Sequence, residues 1–212
     1  MKSLKECMCL YAVTDRKTDD TELFLKYVED SLIGGVTCLQ LREKHADDRE
    51  FLSLAKKLKP LCEQYGVPFI INDNVRVAVE CGADGVHVGQ SDMAAGDVRA
   101  LIGDKMILGV SAQTLGEALL AENSGADYLG VGAVFPTSTK ADADDVPLDT
   151  LREITSAVNI PVVAIGGITL ENIPRLSGTG VDGIAVVSAI YSQNNIKAAA
   201  EKLLGAVKGI IT

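Results

Sequence analysis

The sequence has no C-x-x-C pair, and its five cysteines (Cys7, Cys9, Cys38, Cys62 and Cys81) form an odd set. Both facts argue against a disulfide framework and against a zinc site. No apolar run approaches the ~20 residues that span a bilayer, so no transmembrane helix is expected. The opening Met1-Lys2-Ser3-Leu4-Lys5-Glu6-Cys7 lacks the apolar stretch of a secretory signal, and a reducing, cytoplasmic setting is expected. Basic residues are in deficit, 20 against 29 acidic ones, for a formal net charge of -9. Such a chain is a poor general binder of nucleic acid or anionic membrane, and neither is expected as a partner. Any phosphate it handles must be gripped by a few locally placed cations. Tryptophan is absent, and aromatic residues make up only 4% of the chain.

What is present is the balance of a globular domain, 47% hydrophobic and 23% charged, with 20 glycines. Short β-branched runs mark strands at Cys9–Asp15, Cys38–Glu43, Phe69–Asp73, Gly85–Gly89, Met106–Ser111, Tyr128–Val134, Val162–Gly167 and Gly183–Ile190. Most are almost continuously apolar, as parallel strands covered on both faces must be. Helical patterns fill the gaps. Phe24, Tyr27, Val28 and Leu32 share a face that ends at Gly34-Gly35. Asp47-x-x-Glu50 opens a helix burying Phe51, Leu54, Ala55 and Leu58, and Thr114-x-x-Glu117 reads as a capping box. Ile196, Ala199, Leu203, Leu204 and Val207 give the last helix.

An internal echo joins these pieces. Gly82-Ala83-Asp84-Gly85, Gly125-Ala126-Asp127-Tyr128 and Gly180-Val181-Asp182-Gly183 each close a helix and enter a strand, and Gly34-Gly35-Val36-Thr37 does so more loosely. Repetition of one joint points to an array of βα units. Eight such units in 212 residues fit one α/β domain over residues 1–212, a single-domain (β/α)8 TIM barrel. The alternative is an open doubly wound sheet, which normally carries G-x-G-x-x-G after its first strand. Asp15-Arg16-Lys17 stands there instead. In a barrel, the chemistry belongs at the C-terminal ends of the strands.

Those ends carry a biased set of residues. Strand two ends in Gln40-Leu41-Arg42-Glu43-Lys44, where period two puts Gln40, Arg42 and Lys44 on one side. Two cations on one edge can grip an anion, although a solvated strand end has the same look. Asp73 and Asp92 end strands three and four; paired carboxylates without histidine or cysteine suit Mg²⁺, whereas each alone could simply cap the next helix. His87 sits inside an apolar strand and reads as a hydrogen-bonded core histidine. Strand five offers Ser111, and strand six runs into Pro136-Thr137-Ser138-Thr139-Lys140, a polar loop or a flexible surface one. Gly166-Gly167 and Ser188 end strands seven and eight, where barrel loops commonly cradle phosphate, though the glycines could serve packing alone. Together these describe two phosphorylated substrates, one of them a metal-bound diphosphate.

The order and wording of seven short motifs then carry a resemblance. Gln40-Leu41-Arg42-Glu43-Lys44, Ile71-Asn72-Asp73, Gly89-Gln90-Ser91-Asp92, Gly109-Val110-Ser111, Pro136-Thr137-Ser138-Thr139-Lys140, Ala164-Ile165-Gly166-Gly167-Ile168 and Val187-Ser188 resemble the thiamine phosphate synthase (thiamine-phosphate pyrophosphorylase) family over nearly the whole chain. The resemblance implies a (β/α)8 transferase that condenses hydroxymethylpyrimidine diphosphate with thiazole phosphate, carboxylated or not, to thiamine phosphate and diphosphate. It implies that Gln40, Leu41, Arg42, Glu43, Lys44, Asn72, Ser111 and Lys140 surround the pyrimidine diphosphate. Among them, Arg42, Lys44, Lys140 and Ser111 would act on the departing group. Asp73 and Asp92 would be the ligands of one Mg²⁺ ion, and Thr137, Ser138, Thr139, Gly167, Val187 and Ser188 would hold the thiazole phosphate. Gln113 and Ala133 depart from the family, which often has histidine and proline at these places.

The implied reaction is dissociative and needs no strong base or covalent nucleophile, and no Ser-His-Asp or Cys–His set is evident. Three other readings compete. A thiazole tautomerase-like isomerase on the same barrel would not need the Asp73/Asp92 pair or the Thr137–Lys140 loop. A non-catalytic thiamine-phosphate binding protein would leave the metal and leaving-group residues unexplained. A Schiff-base aldolase using Lys44 or Lys140 would be trapped by borohydride with a carbonyl substrate. The small-molecule substrates are the expected partners, and a second copy of the chain is the one macromolecular partner left open.

Overall fold

The apolar runs become β1 (Leu10–Val13), β2 (Cys38–Leu41), β3 (Phe69–Asn72), β4 (Gly85–Val88), β5 (Ile107–Ala112), β6 (Tyr128–Val131), β7 (Val162–Ile165) and β8 (Gly183–Val186). The structure is a computed structural model that describes residues 2–44, 46–90, 92–137 and 145–211. All neighbouring strands pair in parallel and in sequence order, and β8 returns to β1 to close a barrel, with Leu10 opposite Ile184 and Ala12 opposite Val186. A closed ring of parallel strands excludes the open doubly wound sheet.

Helices cover the outside: α1 (Leu4–Cys7), α2 (Thr21–Ile33), α3 (Asp48–Tyr65), α4 (Val75–Cys81), α5 (Ala95–Ile102), α6 (Leu115–Asn123), α7 (Leu148–Ala157), a 3-10 turn (Ile173–Leu176), α8 (Ser188–Tyr191) and α9 (Ile196–Lys208). No described helix is long and apolar enough to cross a membrane. Asp47 caps α3 by accepting from the Glu50 N–H, and Gly66 ends it at φ 62, the left-handed conformation that glycine adopts without strain. Two local expectations are corrected. Thr114 caps α6 by accepting from the Glu117 N–H, but the Glu117 carboxylate returns to the Gln113 N–H, not to Thr114, so the reciprocal half of the box is displaced by one residue. Strand eight ends at Val186, four residues short of Ile190, because the Val187 carbonyl accepts from the Ile190 and Tyr191 N–H groups and turns the chain into α8.

The core has two shells. Phe24, Val28, Leu32, Leu54, Leu58, Leu151 and Leu203 pack helices onto the outer faces of the strands. A separate cluster of Met8, Tyr11, Val13, Cys38, Ile70, Tyr128, Val163 and Ala185 fills the barrel interior. Strand alternation divides one apolar run between these shells: Leu39 and Leu41 belong to the outer one, Cys38 to the inner. Tyr27 remains 37% exposed, so the buried face of α2 is narrower than its periodicity suggests.

The internal echo has a physical cause. Asp84, Asp127 and Asp182 stand one residue before β4, β6 and β8. Their N–H groups donate to the carbonyls of Phe69, Leu108 and Val162 on the preceding strands, at 2.8–2.9 Å. Their carboxylates accept from the N–H of those same three residues, each at 2.8 Å. Thr37, before β2, does the same to Leu10 with its hydroxyl at 2.8 Å. Every even strand thus begins with a two-bond clamp on its odd predecessor, satisfying an edge N–H that the ladder leaves over. Lys59, Arg99 and Lys5 neutralise the three aspartates at 2.9, 2.6 and 2.8 Å.

This clamp can be weighed at Asp182, whose side chain is only 13% exposed. Asp182→Ala strands the Val162 N–H and should destabilise the protein by about 1–3 kcal/mol. Asp182→Asn keeps an acceptor and should lose clearly less. Urea unfolding of both variants checks this; equal losses would mean that the ion pair, not the clamp, matters.

Candidate active site

At the C-terminal end of the barrel the strand ends surround a cavity of about 460 Å³. Period two along β2 and its extension aims Gln40, Arg42 and Lys44 into it. Leu41 and Glu43 face the other way. Leu41 is fully buried in the outer core, and Glu43 turns to Arg16, whose Nε lies 3.2 Å from its carboxylate. Neither side chain reaches the cavity, which corrects their expected place beside the pyrimidine. Burial pushes the Glu43 carboxyl above its ordinary value, against the pull of Arg16.

β3 and β4 bring Asn72, Asp73 and Asp92 to the same wall. The alternative that the two aspartates cap helices is overturned. Asn74 caps α4, accepting from the Val77 N–H, and the cap position of α5 is Ala94, which has no side-chain cap to offer. Asp92 instead accepts from the Gly89 N–H at 2.7 Å. Asp73 stands at φ 60, a conformation seldom adopted by residues other than glycine, with its N–H donating to the His87 carbonyl at 2.8 Å. Its carboxyl is pushed up to about 6, by burial first and then by the charge and hydrogen bond of Asp92, with Arg42 and Asn72 pulling the other way. Two neighbouring carboxyls on one wall form a place where a hard cation would relieve repulsion. Among the described residues no group of three or more histidine, cysteine or acidic side chains forms a metal cage. The pair therefore suits an ion that keeps most of its coordination for waters and substrate oxygens, as Mg²⁺ does.

Across the cavity lie Thr137, Gly167, Val187 and Ser188. Gly166 and Gly167 take φ 97 and 63. A Cβ on Gly167 would come within 2.3 Å of the Pro136 carbonyl oxygen, so glycine lets the β7 loop lie against the loop after β6. Ser138, Thr139 and Lys140 lie outside the described residues. Gln113 lines the cavity, and Ala133 packs where a Cβ on Gly166 would lie 2.5 Å from its Cα.

The sequence reading missed what forms the floor. Tyr11 Oη lies 2.7 Å from Tyr128 Oη, and Gln40 Nε2 donates to Tyr11 at 2.8 Å. His87 Nδ1 lies 2.9 Å from Tyr128 Oη, and its Nε2 lies 3.0 Å from Ser111 Oγ. His87 is the hydrogen-bonded interior histidine expected, but it sits beneath the site. Both phenols are raised well above their ordinary pKa by burial and stay neutral. The available signal was a tyrosine inside an apolar strand, whose hydroxyl needs a buried partner.

A closed (β/α)8 barrel with cations, paired carboxylates and glycine turns around one strand-end cavity is an enzyme scaffold suited to phosphorylated ligands. The chain belongs to the thiamine monophosphate synthase (TMP-TENI) family, which it matches over residues 10–190. It is 52% identical to the thiamine-phosphate synthase of Clostridioides difficile (strain 630), covering 95% of this chain and 96% of that one. It is 53% identical to that of Methanobrevibacter smithii, covering 93% and 94%. A thiamine phosphate pyrophosphorylase structure from Pyrococcus furiosus superimposes with a TM-score of 0.91 at 40% identity, covering 99% of this chain and all of the other. A 3-hexulose-6-phosphate synthase, at 21% identity and a TM-score of 0.73, shares the fold alone.

The floor is made possible by Gly109, where a Cβ would lie 2.2 Å from Tyr128 Cζ and 2.5 Å from His87 Nδ1. Gly109→Ala should therefore destabilise the protein by about 1–3 kcal/mol through overpacking. Denaturant unfolding measures it, and an unchanged midpoint would show that the floor is looser than these contacts require.

Proposed function

We propose that the chain is a thiamine-phosphate synthase: it joins the methylene of hydroxymethylpyrimidine diphosphate to the ring nitrogen of thiazole phosphate and releases diphosphate. The observation that carries this reading is that every described residue expected from the family, save Leu41 and Glu43, lines one cavity. The methylene carbon–oxygen bond breaks with its electron pair leaving on diphosphate, and the thiazole nitrogen supplies the pair for the new carbon–nitrogen bond. No proton need be removed, so the reaction asks the cavity wall for neither a strong base nor a covalent nucleophile.

The work of this chain is then electrostatic and positional. Arg42 and Lys44, both on the cavity wall, meet charge as it accumulates on the departing group. Lys140 adds to them, and Ser111 donates to the same substrate. Thr137, Gly167, Val187 and Ser188, with Ser138 and Thr139, anchor the thiazole phosphate so that its nitrogen faces the methylene, which turns a two-substrate encounter into a positioned one. Asp73 and Asp92 would hold one Mg²⁺ ion, which when bound neutralises diphosphate oxygens. Two phosphorylated small molecules are the partners; a cytoplasmic setting and self-association of the chain are parts of the same proposal.

Incubating the protein with both substrates and Mg²⁺, then oxidising the product to fluorescent thiochrome, tests the reaction. No product at saturation would return the chain to an isomerase or a binding protein. Excess chelator should abolish turnover, and Asp73→Asn or Asp92→Asn should lower kcat by on the order of 10²-fold or more. Full activity in chelator would remove the metal from the proposal.

The division into two phosphate sites has its own test. Ser188→Asp sets a carboxylate against the thiazole phosphate and should weaken its binding by about 2 kcal/mol, roughly 30-fold. Pyrimidine diphosphate binding should hardly change. Calorimetric titration with each ligand separately decides this; the opposite pattern would mean the two sites are interchanged.

A further inference from the structure

Five side chains from five strands form one continuous line across the barrel. Gln40 on β2 donates through Nε2 to Tyr11 on β1, Tyr11 meets Tyr128 on β6, Tyr128 meets Nδ1 of His87 on β4, and His87 Nε2 meets Ser111 on β5. Tyr11 is 2% exposed, Tyr128 fully buried, Gln40 4% and His87 9% exposed.

A phenol has one proton, so with Gln40 Nε2 as the donor at one end the line has a single consistent direction. Tyr11 accepts from Gln40, so its own proton goes to Tyr128. Tyr128 then gives its proton to His87 Nδ1, which must be the bare nitrogen. The imidazole proton therefore sits on Nε2 and points at Ser111 Oγ, and the Ser111 proton is turned away from the histidine. At the other end, one N–H of Gln40 Nε2 goes to Tyr11, which leaves Oε1 as the acceptor the amide presents elsewhere. Gln40 and Ser111 both line the cavity. Burial holds both phenols protonated.

We propose that Tyr11, Tyr128 and His87 are positioning residues, a one-way hydrogen-bond chain that presents the Gln40 carbonyl as an acceptor and the Ser111 hydroxyl as a donor on the cavity floor. The ligand that fits is a nitrogen heterocycle bearing both an N–H donor and an unprotonated ring nitrogen. This deepens the functional reading above and rests on it for the identity of the ligand, an aminopyrimidine. The direction of the chain stands on the protein alone.

Two measurements separate those claims. The chain has two histidines, so ¹⁵N-histidine labelling with His45→Gln for assignment isolates the His87 imidazole. The expected spectrum at neutral pH is the neutral Nε2–H tautomer, moving toward Nδ1–H in Tyr128→Phe, where Nδ1 loses its donor. An Nδ1–H tautomer or an imidazolium in the unsubstituted protein overturns the direction, whatever the reaction proves to be. The second measurement is calorimetric titration with pyrimidine diphosphate and with thiazole phosphate separately.

Tyr128→Phe should weaken pyrimidine diphosphate binding about tenfold, the equivalent of about 1.4 kcal/mol, and leave thiazole phosphate binding unchanged. His87→Gln, whose amide again offers one acceptor and one donor, should retain more affinity than His87→Leu. A purely structural role predicts that Gln and Leu behave alike, or that both ligands weaken together; either result overturns the proposal. If the unsubstituted protein binds neither ligand, the functional reading fails and the tautomer decides the chain by itself.

Discussion

Two phenol rings meet near the axis of the barrel with their hydroxyls 2.7 Å apart, and neither can reach bulk water. An eight-stranded barrel has an interior just wide enough to be filled by side chains. Two tyrosines take up so much of it that residues facing them must shrink. Gly109 and Gly130 provide that room, with added Cβ atoms at 2.2 Å from Tyr128 and 3.1 Å from His87 respectively. The hydroxyls also demand buried partners, since an unpaired one would forfeit its hydration without return. Gln40 and His87 meet that demand, and both are thereby fixed as parts of the cavity floor. Packing, polarity and site geometry follow from one pair of side chains.

The opposite end of the barrel answers a different requirement. There the clamps of Thr37, Asp84, Asp127 and Asp182 tie odd and even strands in pairs, and Arg99 adds donations to the carbonyls of Gly103, Met106 and Gly125. Those charges are spent on backbone groups and on one another. At the cavity, by contrast, Arg42 faces the Asp73 carboxyl and Lys44 lines the wall. The separation of stability from chemistry that barrels permit is visible here in how their polar groups are used.

The fold was legible because each apolar run is short, bounded by glycine and followed by a helical period, and closure needed only the count of units. The ends of strands were less so. Val187 reads as another apolar strand residue, but its carbonyl is taken up by the Ile190 and Tyr191 N–H groups. Alternation correctly separated Gln40, Arg42 and Lys44 from Leu41 and Glu43, and a motif copied whole from the family misplaced the latter two. Tyr11 and Tyr128 escaped notice for the opposite reason: 117 residues apart and each in an apolar run, they have no local pattern that joins them. Only closure of the ring makes them neighbours. The aspartates of the echo were visible as a joint, but their reach to the neighbouring strand depends on register, which sequence period does not supply.

The electrostatics of the cavity explain how so acidic a chain can serve anions. Asp73 and Asp92 oppose Arg42 and Lys44 on adjoining strand ends, so the local charge is nearly balanced where the whole molecule is at -9. On the proposed reading, a diphosphate entering that balance would meet two carboxylates as well as two cations, adding to the Asp92 charge that, after burial, raises the Asp73 carboxyl. On the same reading, a divalent cation held by the carboxylates would reverse the sign of that contact, so ion and substrate would strengthen each other's binding. Such coupling is reciprocal. On that reading the carboxylates belong beside Arg42, and Gly167 and Ser188 across the cavity would hold the second phosphate without an ion. One rim would then tell two phosphorylated substrates apart by charge arrangement, before either ring is read.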